Sequence, residues 1–362
     1  MAIYIYNYLS MPFYAKVLNR KSFCILASLQ MFLILALRAD TVGVDFATYK
    51  AAFDYISSIG FTDMLSRIRI LRTALLPYPY DLESGWMVLN WIVGLMGFDF
   101  RAIIVICAAI NMYAVGKFVY KFSYTPWLSF CVFTSIGTYQ YMFGVLRQSL
   151  ALSLVVLALD AYYEDNKGKA LLLWLISFSI HRTAILAGIL FWVIKWNNTN
   201  KTKFRIALLL WLPFMAVAPL IYNKVIVYIM AAIGKGGYVG HELQLNNMIV
   251  LLFLIGILTV MFYRFENIVT PIDALFVWSV VISIYWTTIG LFNDTLSRSK
   301  EYFSFFLAFE IPMVLFYYKP KKIAAIGKVA VFVLLFAYMC YTLNESELIP
   351  YSVFLSNIIF AK

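Results

Sequence analysis

Residues 170–194 read ALLLWLISFSIHRTAILAGILFWVI, an apolar run that His181 and Arg182 interrupt at its middle. Lys167 and Lys195 lie close to its two ends, so we expect the chain to enter a membrane and return to the same side. Each limb has about 11–12 apolar residues and reaches about 18 Å, which is less than the ~30 Å of a hydrocarbon core. The apex is therefore expected at membrane depth, where a charge is tolerated only against protein or in a water-filled pocket. A slightly longer hairpin with His181 at the interface is the alternative.

The composition of the whole chain also indicates a membrane protein. Of its 362 residues, 63% are hydrophobic and 13% are charged, and the mean hydropathy is +0.83. Soluble domains are about 45–50% apolar and ~25% charged, so a soluble enzyme, a disordered chain and a simple nucleic-acid binder are excluded. The four cysteines all lie in apolar runs and there are only two histidines, so we expect no disulfide framework, metal or cofactor. We predict an all-α polytopic membrane protein forming a single integral membrane domain over residues 1–362.

Nine further apolar runs are predicted to be transmembrane helices, since about 17 residues is the practical minimum for a span. They are Ser22–Leu37, Ala102–Tyr120, Pro126–Phe143, Gln148–Tyr163, Phe204–Tyr222, Met248–Tyr263, Ile272–Leu291, Tyr302–Tyr318 and Ile323–Tyr341. Trp86–Phe98 is shorter, and we interpret it as an interfacial or re-entrant helix whose tryptophans lie at headgroup depth. The chain is predicted to have about 12 transmembrane spans if this segment crosses the membrane, and about 11 if it does not.

The basic residues predict the orientation of the chain. Short connections rich in lysine and arginine face the cytoplasm. They include Lys16/Arg20/Lys21, Lys117/Lys121, Lys167/Lys169, Lys195/Lys201/Lys203/Arg205, Arg264 and Lys319/Lys321/Lys322/Lys328. A large loop with amphipathic segments, 39–85, and a second loop, 223–247, are then predicted to face outward. The pocket at His181 and Arg182 is predicted to open outward as well.

Four arginines run against this charge bias, because they lie at predicted outward ends of spans: Arg38, Arg147, Arg182 and Arg298. A guanidinium group binds phosphate bidentately and stays ionised, so several of them in one pocket suit a diphosphate. For Arg38 by itself we favour the alternative that the side chain only snorkels to the interface. Motifs of soluble enzymes, such as GxGxxG, the P-loop and HExxH, are missing.

Four short segments resemble, in order and spacing, the motifs of the EpsG-like family, whose members are relatives of the Wzy-type polymerases of O-antigen and capsular polysaccharide. They are RADTVGVDFATY (residues 38–49), LRQSLA (146–151), FSIHRTA (178–184) and SRSKEYF (297–303). One departure is that Arg182 and Thr183 follow the histidine, where the family has a small residue and a serine.

The resemblance implies a metal-independent glycosyltransferase of the bacterial inner (cytoplasmic) membrane, with a GT-C-like architecture and an outward-facing cavity. Such an enzyme transfers a growing glycan from undecaprenyl diphosphate onto a lipid-linked oligosaccharide repeat unit on the periplasmic or outer side. Its partners would be those two undecaprenyl-diphosphate-linked oligosaccharides, membrane lipid and a chain-length regulator, and no nucleic acid.

The resemblance also suggests roles for individual residues. Arg147 and Arg298 are expected to bind the diphosphate, with Arg182 or Arg38 assisting. His181 is a residue type that accepts a proton near neutral pH, although it has the alternative roles of bonding the diphosphate or holding the turn.

Two carboxylates are rival bases. Asp294 has the alternative of pairing with Arg298, and Asp45 that of capping the helix that follows. The predicted substrate-binding residues are Tyr49, Gln148, Lys235, Tyr238, Lys300 and Tyr302. Trp86 could stack on a sugar, but interfacial anchoring is the favoured role.

Other functions stay open at this point. A flippase or transporter of lipid-linked glycans would also place arginines in a central cavity, but transporters often contain internal repeats, and none is evident between the two halves. The further alternatives are a ligase, an acyltransferase or a non-catalytic assembly subunit.

Overall fold

The computed structural model of the chain describes residues 1–43, 45–68, 82–196, 201–221, 228, 254–256, 270–291, 298–318, 320–344, 346 and 348–353. These residues are almost entirely helical. The helices are α1 Ala2–Val17, α2 Arg20–Ala36, α3 Phe46–Ser58, α4 Phe61–Arg67, α5 Ser84–Leu95, α6 Phe100–Phe122, α7 Pro126–Ser135, α8 Thr138–Gly144, α9 Leu146–Tyr163, α10 Lys167–Ile180, α11 Gly188–Trp196, α12 Lys201–Ile221, α13 Pro271–Gly290, α14 Glu301–Ser304, α15 Leu307–Tyr317 and α16 Lys321–Asn344. Extended pairing in the described part is limited to one bridge between Arg38 and Val353. The predicted all-α membrane class is confirmed.

Three of the described helices, α6, α13 and α16, are long and apolar enough to cross a membrane on length and composition alone. The 12-residue helix α5 is about 18 Å long and cannot cross ~30 Å of hydrocarbon by itself. This length favours the interfacial or re-entrant interpretation of residues 86–98. The predicted span Met248–Tyr263 lies largely outside the described residues.

Some predicted spans are divided. Pro126–Phe143 forms two helices, α7 and α8, because Gly137 between them has a φ of 92°. A residue in this left-handed region ends a helix. Tyr302–Tyr318 is likewise divided into α14 and α15. The sequence did not predict helix α1, whose 16 residues include Asn7, Ser10 and Pro12 among the apolar positions.

The chain divides into two compact units, Met1–Ile185 with Ile326–Lys362 (unit 1) and Leu186–Ala325 (unit 2). In unit 1, α6 packs between α2 and α9. Gly116 on α6 lies directly against Ser28 on α2. A Cβ added at Gly116 would come within 2.1 Å of the serine hydroxyl oxygen, so a side chain there would clash. The missing side chain therefore permits the close approach of these two helices.

A buried polar contact joins α6 to α9. The amide nitrogen of Asn111 donates to the hydroxyl of Ser149 at 3.3 Å, and the hydroxyl of Ser153 donates to the Asn111 amide oxygen at 2.8 Å. All three side chains are at most 1% exposed. On the other side of α9, the Ser177 hydroxyl of α10 donates to the carbonyl of Ala151 at 2.7 Å. These contacts connect α6, α9 and α10 in series.

Unit 2 is built around α13, which packs against α11, α12 and α15. A capping box begins α13, since the Thr270 hydroxyl accepts from the Asp273 N–H and the Asp273 carboxylate accepts from the Thr270 N–H, both at 3.2 Å. The indole N–H of Trp211 donates to Thr288 at 2.8 Å. Glu310 on α15 is completely buried.

Gly43 gives a first prediction about stability. Its φ of 117° is unfavourable for other residues, and a Cβ there would lie 2.5 Å from the Phe143 carbonyl oxygen. We expect Gly43→Ala to lower the free energy of unfolding by about 2 kcal/mol or more, because strain and a backbone clash act together. Thermal unfolding in detergent would measure the loss. Gly97→Ala is the control, since Gly97 has a φ of 80° but nothing within 4 Å of its added Cβ. Equal losses in the two variants would contradict the role of the clash.

Candidate functional site

One carboxylate joins two of the predicted site residues. Glu83 forms an ion pair with Arg147 through one carboxylate oxygen, and its other oxygen lies 2.9 Å from Nδ1 of His181. Arg147 is the second residue of α9 and His181 immediately follows α10. The structure therefore brings Arg147 and His181 into one cluster, which we call the Glu83 cluster (Glu83, Arg147 and His181).

The aromatic residues beside this cluster orient Arg147. The guanidinium carbon of Arg147 lies 5.7 Å from the centre of the Tyr49 ring, and the Arg147 Nε donates to the Tyr49 hydroxyl at 3.5 Å. The Tyr49 ring in turn lies 5.6 Å from the ring of Trp86. Trp86 is 0% exposed, so the expectation that it anchors at the interface or stacks on a sugar is wrong. Its ring supports Tyr49 from inside the protein.

The position of Glu83 follows from the start of α5. Glu83 immediately precedes this helix, and its backbone carbonyl accepts from the N–H of Met87 at 3.0 Å. Gly85, two residues on, lies against α10, where an added Cβ would come within 2.2 Å of the Ser179 hydroxyl oxygen. This close approach of α5 to α10 holds Glu83 next to His181.

The Glu83 carboxylate is ionised in this setting. Burial by itself would raise its pKa, but the hydrogen bond from His181 and the positive charge of Arg147 outweigh burial and lower it to about 2. The three side chains are 8%, 22% and 19% exposed for Glu83, Arg147 and His181. They are therefore shielded from bulk water, which strengthens the attraction between the charges.

The ionised Glu83 carboxylate predicts that the stability of the folded protein decreases in acid. The pKa of Glu83 is lower in the folded protein than its ordinary 4.5, so the ionised carboxylate stabilises the fold above about pH 4.5, and this contribution is lost as the pH falls toward 2. We expect the difference in melting temperature between the wild type and Glu83→Gln to narrow between about pH 6 and pH 3. Thermal unfolding across that range would show it. A constant difference would contradict an ionised Glu83.

The predicted interruption of the 170–194 run is confirmed. Helix α10 ends at Ile180, and His181 is extended with φ −151° and ψ 118°. A 3-10 helix, Arg182–Ala187, follows, and the indole N–H of Trp174 donates to the carbonyl of Ala184 at 2.9 Å. Residues 181–184 therefore turn back along α10. The Arg182 Nη2 is buried in this turn and has no hydrogen-bond partner among the described residues.

Arg38 lies in a different environment from the Glu83 cluster. It is 1% exposed, so it does not snorkel to an interface, and its guanidinium lies 5.3 Å from the centre of the Phe143 ring. Its Nη1 donates to the Met142 carbonyl at 3.4 Å. The Arg38 backbone carbonyl accepts from Arg101 at 2.6 Å, and Arg101 also forms an ion pair with Asp40. Arg38 thus contacts the end of α8, just before the helix that carries Arg147.

The other predicted site residues are distributed as follows. Gln148 is buried and accepts a hydrogen bond from the Tyr141 hydroxyl. Asp45 directly precedes α3, but its side chain makes no capping hydrogen bond. In unit 2, Arg298 and Lys300 form a 3-10 helix and Tyr302 is fully buried in α14. Asp294, Lys235 and Tyr238 lie outside the described residues. That Arg298 and Arg147 share one pocket stays a prediction.

Sequence reasoning missed Glu83 as a site residue. It lies 64 residues from Arg147 and 98 residues from His181, so no local motif connects them. The available signal was a carboxylate directly before the apolar helix α5, since a buried charge requires a partner. Among the described residues, no three histidine, cysteine or acidic side chains lie close enough together to hold a metal ion.

The family of the chain follows from a comparison of its whole length. The sequence profile of the EpsG family matches residues 21–353, which includes all four segments that carried the resemblance. Neither a curated protein nor a solved structure gives a significant match to the chain. EpsG-like proteins are related to Wzy-type polymerases and are membrane enzymes of the glycosyltransferase kind. The chain belongs to the EpsG family.

Proposed function

We propose that this protein is a polysaccharide polymerase. It transfers a growing glycan from undecaprenyl diphosphate onto the sugar end of a second lipid-linked oligosaccharide repeat unit, on the outer side of the bacterial inner membrane. Membership of the EpsG family supports a membrane glycan polymerase or glycosyltransferase. The observation that carries the finer proposal is the Glu83 cluster. In it the Glu83 carboxylate contacts both the guanidinium of Arg147, a group suited to binding phosphate, and the imidazole of His181.

Arg147 is the proposed diphosphate ligand. Its guanidinium has five N–H donors in a rigid fork, which matches two phosphate oxygens. Tyr49 and Glu83 fix the orientation of this fork before the substrate arrives. A cation that is already in place lowers the energy of the departing diphosphate without reorganisation during the reaction. Arg182 directly follows His181 and is the proposed second ligand, since its Nη2 is buried without a hydrogen-bond partner in the described part of the chain.

His181 is the proposed proton acceptor. With the Glu83 carboxylate accepting from Nδ1–H, the Nε2 atom keeps a lone pair for the acceptor hydroxyl. The acceptor oxygen forms a bond to the anomeric carbon of the donor glycan as its bond to the diphosphate oxygen breaks. The hydroxyl proton moves to Nε2, and the electron pair of the broken bond leaves with undecaprenyl diphosphate. Asp45 and Asp294 are the rival acceptors in this scheme.

The remaining assignments extend the proposal. Arg298 contributes a further cation to the diphosphate, while Arg38 supports the end of α8 near Arg147. Lys235, Tyr238 and Lys300 bind the glycan, within a GT-C-like helical frame whose cavity opens outward. Gln148 and Tyr302 are buried, and they support this site from inside the protein. A chain-length regulator would act on this enzyme as a separate partner.

Reconstitution tests the proposed reaction. The purified protein in liposomes, supplied with a synthetic undecaprenyl-diphosphate-linked repeat unit, should produce glycans of two or more repeats and release undecaprenyl diphosphate. Mass spectrometry of the lipid and glycan fractions measures both products. Movement of the repeat unit across the bilayer with no elongation would identify a flippase instead and contradict the proposal.

A further inference from the structure

An apolar groove runs along the surface of unit 1 between α2 and α6. Its volume is about 460 Å³. Its walls are formed mainly by apolar side chains, with two lysines among them, and include Lys21, Ile25, Leu29, Ala109, Tyr113 and Lys117. Ile25 and Tyr113 are 58% and 61% exposed, so the groove opens at the surface of the unit. The groove lies at the opposite end of α6 from Arg101, which neighbours Arg38.

Both lysines of the groove lie at the same end of it. Lys21 is the second residue of α2, and Lys117 lies near the end of α6. The two helix ends are in contact, since the Arg20 guanidinium donates to the carbonyls of Tyr120 and Ser123, both at 2.7 Å. One end of the apolar groove is therefore cationic and the rest of it is not.

The charges at this end do not cancel. Lys117 and Lys121 form ion pairs with Asp160, and Lys121 also pairs with Glu164. Arg20 and Lys21 add two positive charges, and neither has an acidic partner among the described residues. Four cations thus face two carboxylates, which leaves an excess of two positive charges.

We propose that this groove binds an acidic phospholipid. An acyl chain lies along Ile25, Leu29 and Ala109, and the headgroup phosphate binds Lys21 and Lys117. Basic pockets between transmembrane helices on the cytoplasmic side recognise acidic headgroups in this way. The excess positive charge disfavours a zwitterionic lipid, because such a lipid brings its own cation to the same place. The ligand differs from the polyprenyl substrates, which the proposed function places at Arg147, on the other end of the unit.

Native mass spectrometry of the purified full-length protein tests this proposal. The protein is titrated in detergent with phosphatidylglycerol and with phosphatidylcholine of the same acyl chains. We expect tighter binding of phosphatidylglycerol to the wild type, and a loss of about fivefold in affinity in Lys21→Gln. Ala109→Phe, which fills the groove without changing a charge, should weaken phosphatidylglycerol binding as well.

Matched controls separate the groove from general charge and size effects. Lys169→Gln removes a basic charge from an exposed position outside the groove, and Val105→Phe adds a ring to α6 outside its lining. Both should bind phosphatidylglycerol like the wild type. Equal binding of the two lipids, or unchanged binding in both Lys21→Gln and Ala109→Phe, would overturn the proposal. Competition by inorganic phosphate alone would also overturn it, because the acyl chain would then be unnecessary. The polymerase assay is independent of these outcomes.

Discussion

Arg147→Gln should leave single repeat units where the wild type makes long polymer. The substitution removes the cation that the proposed mechanism places on the departing diphosphate, and loss of one such group costs about 10²–10³ in turnover. Arg147→Lys keeps the charge but loses the planar fork, so we expect it to recover only part of the activity. Glycan length in cells and turnover in liposomes measure the effect.

The interpretation of Arg147→Gln requires a folded protein. Removing Arg147 leaves the buried Glu83 carboxylate without its guanidinium partner, which is itself destabilising. The double variant Arg147→Gln/Glu83→Gln removes both charges and should recover stability without recovering polymer. Arg67→Gln is the matched control and should make polymer of normal length, since Arg67 lies on α4 in the predicted outward loop 39–85, outside the Glu83 cluster. Normal polymer in a well-folded Arg147→Gln would contradict the diphosphate role.

Glu83→Gln and His181→Gln should each reduce turnover by about 10²–10⁴, the usual contribution of a positioned acid or base. Glu83 is a positioning residue, since it acts through His181. We therefore expect kcat to fall while KM for the donor changes little. The double variant should lose no more activity than His181→Gln alone, because residues that act as a unit are not additive.

A double-mutant cycle in the liposome assay measures this coupling. Ser179→Ala is the control, because its hydroxyl donates to the Ile176 carbonyl within α10 and lies beside Gly85 of α5. Independent, additive losses for Glu83 and His181 would show that the carboxylate does not act through the imidazole. Retained activity in both single variants would transfer the proton-acceptor role to Asp45 or Asp294.

The sequence predicted the helical boundaries well where charge and hydropathy change together. Helix α9 begins two residues before the predicted Gln148, and α10 ends at Ile180 as the His181–Arg182 pair required. In these places an ionised side chain inside an apolar run permits few backbone solutions. The break at Gly137 was not predicted, because a glycine inside an apolar run is also compatible with a continuous helix.

The site was predictable only in part, since its members come from distant segments. Arg147 and His181 stood out because basic and imidazole groups are rare in apolar runs. Glu83 did not stand out, because its role depends on α5 approaching α10 at Gly85, and this contact leaves no periodic pattern. Trp86 was misassigned for a related reason, since a tryptophan at the end of a short helix is typical of an interface and also of a core.

The Asn111 contact with Ser149 and Ser153 has a consequence for Arg147, which lies two residues before Ser149 on α9. In an apolar bilayer, a helix of interchangeable leucines and valines could slide or turn about its axis at little cost. A shift of one residue would swing every side chain by about 100°. The Asn111 side-chain amide fixes the rotation of α9 about its own axis. This rotation decides the direction in which the Arg147 guanidinium points, since Arg147 is in the first turn of α9. The direction of the proposed diphosphate ligand therefore depends on a buried polar contact between α6 and α9.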